Sequence, residues 1–275
     1  YHTSFFHAAK NGSMCFDAFT KNADFTHYYG LNEYTGSKEN FDGNWGIYDE
    51  PYLEYFTKTI SSFSQPFASC IFTLSSHQPY SIPKKYTNVF PKGDREIHET
   101  IGYVDYALKK FFKEAQKETW YKNTLFVITA DHTHMHSKQE YMNTRGDYNV
   151  PLIFFHPSDK LIADTSLIAN QIDIMPSILD YLQIVNTNPA LLGQSVFGKQ
   201  PNHDYAVNFS NNTYRVFLKE YYIEGAQDNE FVIKNYKDEW MRNVNEKEKK
   251  FIQAIIQYYN NGMIKNTYYN WSKTK

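Results

Sequence analysis

Two cysteines in 275 residues, Cys15 and Cys70 in unrelated local contexts, leave no disulfide framework to hold this chain together. Charge of one sign is missing too. The 28 Lys and Arg nearly balance the 30 Asp and Glu, for a formal net charge of -2, and no basic stripe occurs, so nucleic acid is not an expected partner. No apolar run approaches the ~18 to 20 residues that cross a bilayer. Tyr1 to Ala9 has neither the basic start nor the long apolar middle of a signal peptide. What the chain has in excess is aromatic surface. With 24 Tyr and 21 Phe, more rings are present than packing needs, and many tyrosines must reach the surface. That suits a carbohydrate or lipid-headgroup neighbourhood, and equally a compositional habit. At 41% hydrophobic content the chain can bury one large core, or one core with a smaller satellite.

Thr3-Ser4-Phe5-Phe6 opens the chain as a strand already in progress, without an initiator methionine. A fragment lacking its N-terminal part is therefore expected. Ser13 is placed to cap a short helix through Met14, Phe16, Phe19 and Thr20. Residues 30 to 49, rich in Gly, Asn and acidic groups, read as a long surface excursion. Asp49 and Glu50 are then a loop pair near a site or, as acidic loop pairs usually are, in solvent. Phe67 to Leu74 reads as a strand that ends at Ser75-Ser76-His77-Gln78-Pro79, and Ile97, Ile101, Val104, Leu108, Phe111 and Ala115 recur at helical spacing.

A second strand, Leu125 to Ala130, follows that helix, and the order strand, helix, strand predicts a parallel pair joined by a right-handed crossover. Val150 to Phe155 predicts a further strand, and Ile168, Ile172, Met175, Ile178, Leu179 and Leu182 a further helix. The expected fold class is α/β, a mainly parallel sheet covered by helices. Beyond Pro201 short alternating segments and a helix from about Glu246 to Tyr259 predict a small antiparallel subdomain. The expected division is thus 1–200 and 201–275.

The apolar run from Leu125 stops at Asp131-His132, a hard oxygen beside a borderline nitrogen at a strand's carboxyl end. That pair suits manganese or zinc better than calcium; the plain alternative is a loop cap with a hydrogen-bonded histidine. His132, His134 and His136 alternate, as a one-sided metal cluster in extended backbone or as a flexible loop beside the site. His77 can simply bond a turn carbonyl. His7 is expected to be structural, packed beside Phe5 and Phe6, and Asp173 to cap or buttress its helix.

Seven strings in one order resemble the catalytic domain of the lipoteichoic acid synthase family, sulfatase-like phosphoglycerol transferases of the alkaline phosphatase superfamily. They are Phe5-Phe6-His7 with Asn11 to Met14, Tyr28-Tyr29-Gly30, Trp45 to Glu50, Pro66 through Tyr80, Trp120 to Thr124, Ala130 to Thr133, and Gln171 to Leu179. The resemblance covers the chain to about Phe197. It implies the alkaline-phosphatase/sulfatase-like fold, and makes Asp131 and His132 two ligands of one divalent ion, manganese first, with zinc or magnesium as alternatives. It makes His77 a contact to the substrate phosphate.

The family's threonine nucleophile and its acidic ligand lie upstream of the segment matched by Phe5-Phe6-His7, so no catalytic nucleophile is expected in this chain, and the fragment alone is expected to be inactive. The implied reaction moves phosphoglycerol or a similar headgroup from a membrane lipid to a cell-envelope glycan or polymer through a phospho-threonine intermediate. Its alternatives are a phosphodiesterase or sulfatase, or a noncatalytic fragment that binds envelope polymer. Around Met14-Cys15-Phe16-Asp17 the headgroup-gripping arginine of Gram-positive members is missing, which points to a different headgroup. The implied location is the periplasmic or extracellular face of the cytoplasmic membrane, anchored by helices in the missing N-terminal segment.

Overall fold

The structure, a computed structural model, describes every residue except 163, 165, 186–192, 199–204, 227–229 and 266–275. The expected division at 200/201 lies outside the described residues. Two compact units form, the first from residues 1–129 and 152–161, the second from 130–151 and 162–275.

In the first unit, β1 (His2–His7) is flanked by β2 (His27–Tyr29) and β3 (Phe67–Phe72), all parallel. Between them lie α1 (Phe16–Asn22) and α2 (Asp49–Ile60), and after β3 comes α3 (Ile97–Ala115). Ser13 does not cap α1; it begins a 3-10 turn, and Met14 and Cys15 adopt left-handed φ of 55° and 57°. α2 was not foreseen. Its buried positions Tyr52, Leu53, Phe56 and Ile60 recur at helical spacing and join Phe6, Leu74, Ala107, Phe111 and Trp120 in one core. Phe6 is its centre, fully buried, with Tyr29 stacked at 4.4 Å and Phe56 edge-on at 4.7 Å.

The helix expected over Ile97 to Ala115 is present as α3, but rotated. Its buried stripe is Thr100, Tyr103, Ala107, Phe111 and Ala115, while Ile101 is half exposed. Periodicity of aliphatic residues alone misplaced the face, because a buried tyrosine and threonine carry part of it. β4 (Phe126–Thr129) pairs antiparallel with β5 (Leu152–Phe155), not parallel with β3, and among the described residues no ladder joins β4 to β3. The connection from β4 to β5 holds only 3-10 turns and no helix.

In the second unit, α4 (Ile174–Tyr181) is shorter than the apolar spacing from Ile168 suggests. Asn170 and Asp173 form a reciprocal capping box that fixes where the helical segment begins. Strands β6 (Tyr205–Ser210), β7 (Thr213–Leu218), β8 (Tyr221–Gly225), β9 (Val232–Asn235) and β10 (Trp240–Asn243) follow as an antiparallel meander in chain order. The two-residue turn between β6 and β7 is Asn211-Asn212, both at positive φ, the residue type that tolerates the tight hairpin conformation. α5 (Glu246–Ile264) starts at an Asn245/Glu248 capping box and buries Ile252 and Ile256 against Val216, Ile223 and Ile233.

Among the described residues no helix is long and apolar enough to cross a membrane. Phe6→Ala is expected to cost ~3–5 kcal/mol, the usual loss for deleting a fully buried phenylalanine, read as a lowered denaturant midpoint.

Candidate functional site

His77 sits in the loop that follows β3, exposed, with its Nδ1 3.1 Å from the Gln78 carbonyl. A carbonyl only accepts, so this contact places the proton on Nδ1. The loop itself is clamped from the start of α2. Asp49 Oδ1 accepts from Leu74 N at 3.1 Å, Ser75 N at 2.9 Å and Ser75 Oγ at 2.8 Å. Ser75 Oγ in turn accepts from Asp49 N at 2.9 Å. Asp49 is 1% exposed, and its buried Oδ2 has no hydrogen-bond partner among the described residues. Burial pushes this carboxyl above the usual carboxylate range, with the Ser75 and Leu74 donors pulling against it.

Its neighbour Glu50 is pushed the other way. Burial would raise it, yet Lys110, Lys85 and Tyr86 all bond its carboxylate and hold it below the usual range. The pair expected in solvent is therefore buried, because it opens a helix that packs on α3. Gly46 lets this segment close up: Ile47 N donates to the Ala8 carbonyl at 3.0 Å, and a Cβ at Gly46 would run into that same carbonyl. Trp45 remains at the surface beside His77.

His7, at the end of β1, is fully buried against Phe16 and Phe72, with Nδ1 3.2 Å from Tyr28 Oη. Of its expected neighbours, Phe6 faces the opposite side of the strand, whereas Phe5 shares the face of His7 and meets the same Phe16 and Tyr28. Burial lowers the His7 pKa, and it pushes the Tyr28 phenol up to about 12, with Asp17 and Glu33 adding to the shift.

In the second unit Asp131 and His132 bring their free atoms together, Oδ2 to Nε2 at 3.5 Å, with both side chains more than half exposed. His132 Nδ1 is 2.7 Å from the Thr133 carbonyl, which places the proton there and leaves Nε2 as the lone-pair nitrogen. That is the donor arrangement a metal-binding histidine takes, its other nitrogen held by a carbonyl. The backbone is pinned by Gln171, whose Nε2 donates to the Ala130 carbonyl at 2.7 Å and the Asp131 carbonyl at 3.0 Å. Two donors thus fit a divalent ion. Among the described residues no group of three or more His, Cys, Asp and Glu side chains gathers to complete such a site. The alternating histidines do not form a cluster: His136 pairs with Asp147 at 2.9 Å. Asp173 is fully buried and accepts from Asn170 N and Gln194 N, as a buttress of α4.

Comparison with known proteins gives this geometry its family. The sulfatase family model matches residues 1–184. The chain belongs to the sulfatase family. Lipoteichoic acid synthase 1 of Bacillus subtilis (strain 168) is 27% identical over 216 residues, which is 72% of this chain and 33% of the relative. The lipoteichoic acid synthase of Staphylococcus aureus (strain COL) is 24% identical over 215 residues, 72% of this chain and 32% of the relative. The chain spans about a third of the length of these curated relatives. Among solved structures, an alkaline phosphatase superfamily protein from Vibrio parahaemolyticus superposes with a TM-score of 0.81 at 21% identity, covering 98% of this chain and 66% of that one. A lipoteichoic acid synthase from Listeria monocytogenes gives 0.75 at 20% identity, covering 95% and 70%. The sulfatase-like α/β fold of the alkaline phosphatase superfamily is therefore the fold of this chain, with the antiparallel sheet as its C-terminal part.

Three residues of the site were not singled out from sequence: Trp45, Asp49 as a clamp, and Gln171. All three lie inside strings that resemble the family, which was the signal available. The Asp49 clamp predicts a pH effect of definite sign. A carboxyl whose folded pKa is raised contributes stability that is complete below its unfolded value of 3.8 and is lost as pH rises through the folded value. Wild-type unfolding free energy should therefore fall relative to Asp49→Asn, which keeps the acceptor without the charge, as pH rises above the unfolded value of 3.8. Asp49→Ala, which leaves the loop donors unpaired, should cost ~1–3 kcal/mol.

Proposed function

We propose that this chain is part of a metal-dependent phosphotransferase that moves phosphoglycerol or a similar headgroup from a membrane lipid to a cell-envelope glycan or polymer. The observation that carries the reading is the Asp131–His132 donor pair, with its tautomer set by the Thr133 carbonyl, in a sulfatase-family chain whose curated relatives are lipoteichoic acid synthases. Asp131 and His132 hold a divalent ion, manganese first, with ligands from outside this chain completing it. When bound there, such an ion neutralises phosphoryl oxygens and lowers the pKa of a hydroxyl nucleophile. His77 presents Nε2 to a phosphate oxygen and donates to it when the imidazole is protonated, because that oxygen only accepts. The nucleophile is a threonine upstream of Tyr1, and the phosphoryl group passes through it before reaching the acceptor.

The location that goes with this reading is the outer face of the cytoplasmic membrane, with the anchor upstream. The headgroup pocket differs from a guanidinium grip. From Met14 to Asp17 the chain offers no arginine for bidentate phosphate binding, which leaves Asn11, Ser13 or His7 as the substitute donor.

Manganese titration of the wild type and Asp131→Ala, in protein extended upstream to include the threonine, tests the reading. The variant should bind the metal at least about tenfold more weakly, and metal-dependent release of glycerol phosphate from phosphatidylglycerol should disappear with it. Metal binding that is indifferent to Asp131 would overturn the assignment of these ligands. Binding that is retained in the wild type without release from this lipid would move the substrate to another headgroup.

A further inference from the structure

Trp45 lies four residues before Asp49, the buried first residue of α2, yet 43% of its surface is exposed. Its position is set by the turn before it, where Asp42 Oδ1 accepts from Trp45 N at 2.8 Å and Gly46 N at 3.1 Å. From that anchor the indole Nε1–H donates to the Gln78 carbonyl, the oxygen that also takes the His77 Nδ1 contact at 3.1 Å. The two rings meet directly as well, with centroids 4.3 Å apart and planes inclined at 62°. An indole used only as filler would not need its N–H on that oxygen. A ring wall and an oriented carbonyl together leave the imidazole one orientation and one tautomer.

We propose that Trp45 is a positioning residue for His77. It orients the Gln78 carbonyl and the imidazole so that Nδ1 donates internally and Nε2 faces a phosphate oxygen, to which it donates when the ring is protonated. This rests on the phosphate role proposed above for His77. The segment Trp45 to Glu50 then grips the loop after β3 twice, with Asp49 at Leu74-Ser75 and Trp45 at His77-Gln78. The first grip sets the path of the backbone. The second sets the chemistry of one ring.

The test uses the full chain with 15N-labelled histidine, the His77 signals being assigned by their loss in His77→Gln. Two replacements at Trp45 are compared: Trp45→Phe, and the isosteric benzothienyl analogue of tryptophan, which removes the N–H and keeps the shape. Two-bond proton–nitrogen correlations read the His77 tautomer, and glycerol phosphate is the titrant. The wild type should show the Nδ1–H form. Both replacements should mix the tautomers of the neutral ring and, at a pH where the imidazole is protonated, weaken glycerol phosphate binding by about two- to tenfold, the range of one typical hydrogen bond. In the His77→Gln background they should cause no further loss. An unchanged tautomer in the benzothienyl protein, or losses that simply add to that of His77→Gln, would overturn the proposal. If His77→Gln itself leaves glycerol phosphate binding unchanged, the phosphate role of His77 falls, and the tautomer alone still decides whether Trp45 positions the ring.

Discussion

One side-chain oxygen, Asp49 Oδ1, gathers three donors from the loop after β3, and the rest of the first unit's site depends on it. A strand exit is otherwise a place where backbone groups lose their ladder partners and the chain is free to wander. Here the Leu74 and Ser75 amides exchange strand partners for a carboxyl, and Ser75 returns a hydrogen bond by accepting from the Asp49 amide. The exchange works only because α2 begins at Asp49, so the carboxyl is held by a helix packed into the Phe6 core. Core packing, helix start and loop geometry are thus one problem with one solution.

Glu50, the next residue, shows how closely environment governs adjacent carboxyls. Burial favours the uncharged acid at Asp49 and outweighs the neutral Ser75 and Leu74 donors, which pull toward the anion. Glu50 meets two ammonium groups and a phenol, which favour the anion. The consequence is mechanical: Lys110 ties the start of α2 to α3, and Lys85 ties it to the segment beyond the His77 loop. Both lysines remain at least half exposed, so solvent screens these pairs, and they add less to stability than the buried hydrogen bonds of Asp49.

Much of this was legible in the sequence, and the failures have physical causes. β1, β3, α3, β4 and the antiparallel meander follow from apolar runs and turn residues that act locally. α2 escaped because Asp49-Glu50-Pro51 looks like a loop when its acids are assumed to be solvated, and only tertiary contact makes burial affordable for them. The face of α3 was misread because Tyr103 and Thr100 are buried in place of Ile101. Tyr103 can be buried because its hydroxyl accepts from Glu50 N at 3.1 Å, a partner that local periodicity cannot reveal. Strand partners were harder still. The helix after β3 is read from sequence, but the antiparallel pairing of β4 with β5 is a long-range choice that local periodicity does not reveal.

The same distinction separates the two ways in which the candidate ligands are specified. Asp131 and His132 are adjacent in sequence, so their chelating proximity is local, and it was the most visible feature of the chain. What holds them is not local. Gln171 secures the Ala130 and Asp131 carbonyls from 40 residues away. The loop that continues from them is tied to the antiparallel sheet through Tyr148 with Ser210, Thr144 with Asp238, and the Arg145 guanidinium over the Tyr236 ring. A two-residue donor pair on a freely moving loop would be a weak ligand, because the ordering cost falls on each binding event. Fastened at both ends, the pair presents its oxygen and nitrogen 3.5 Å apart before any ion arrives. On this argument the C-terminal sheet contributes to the site by preorganising ligands that it does not itself supply.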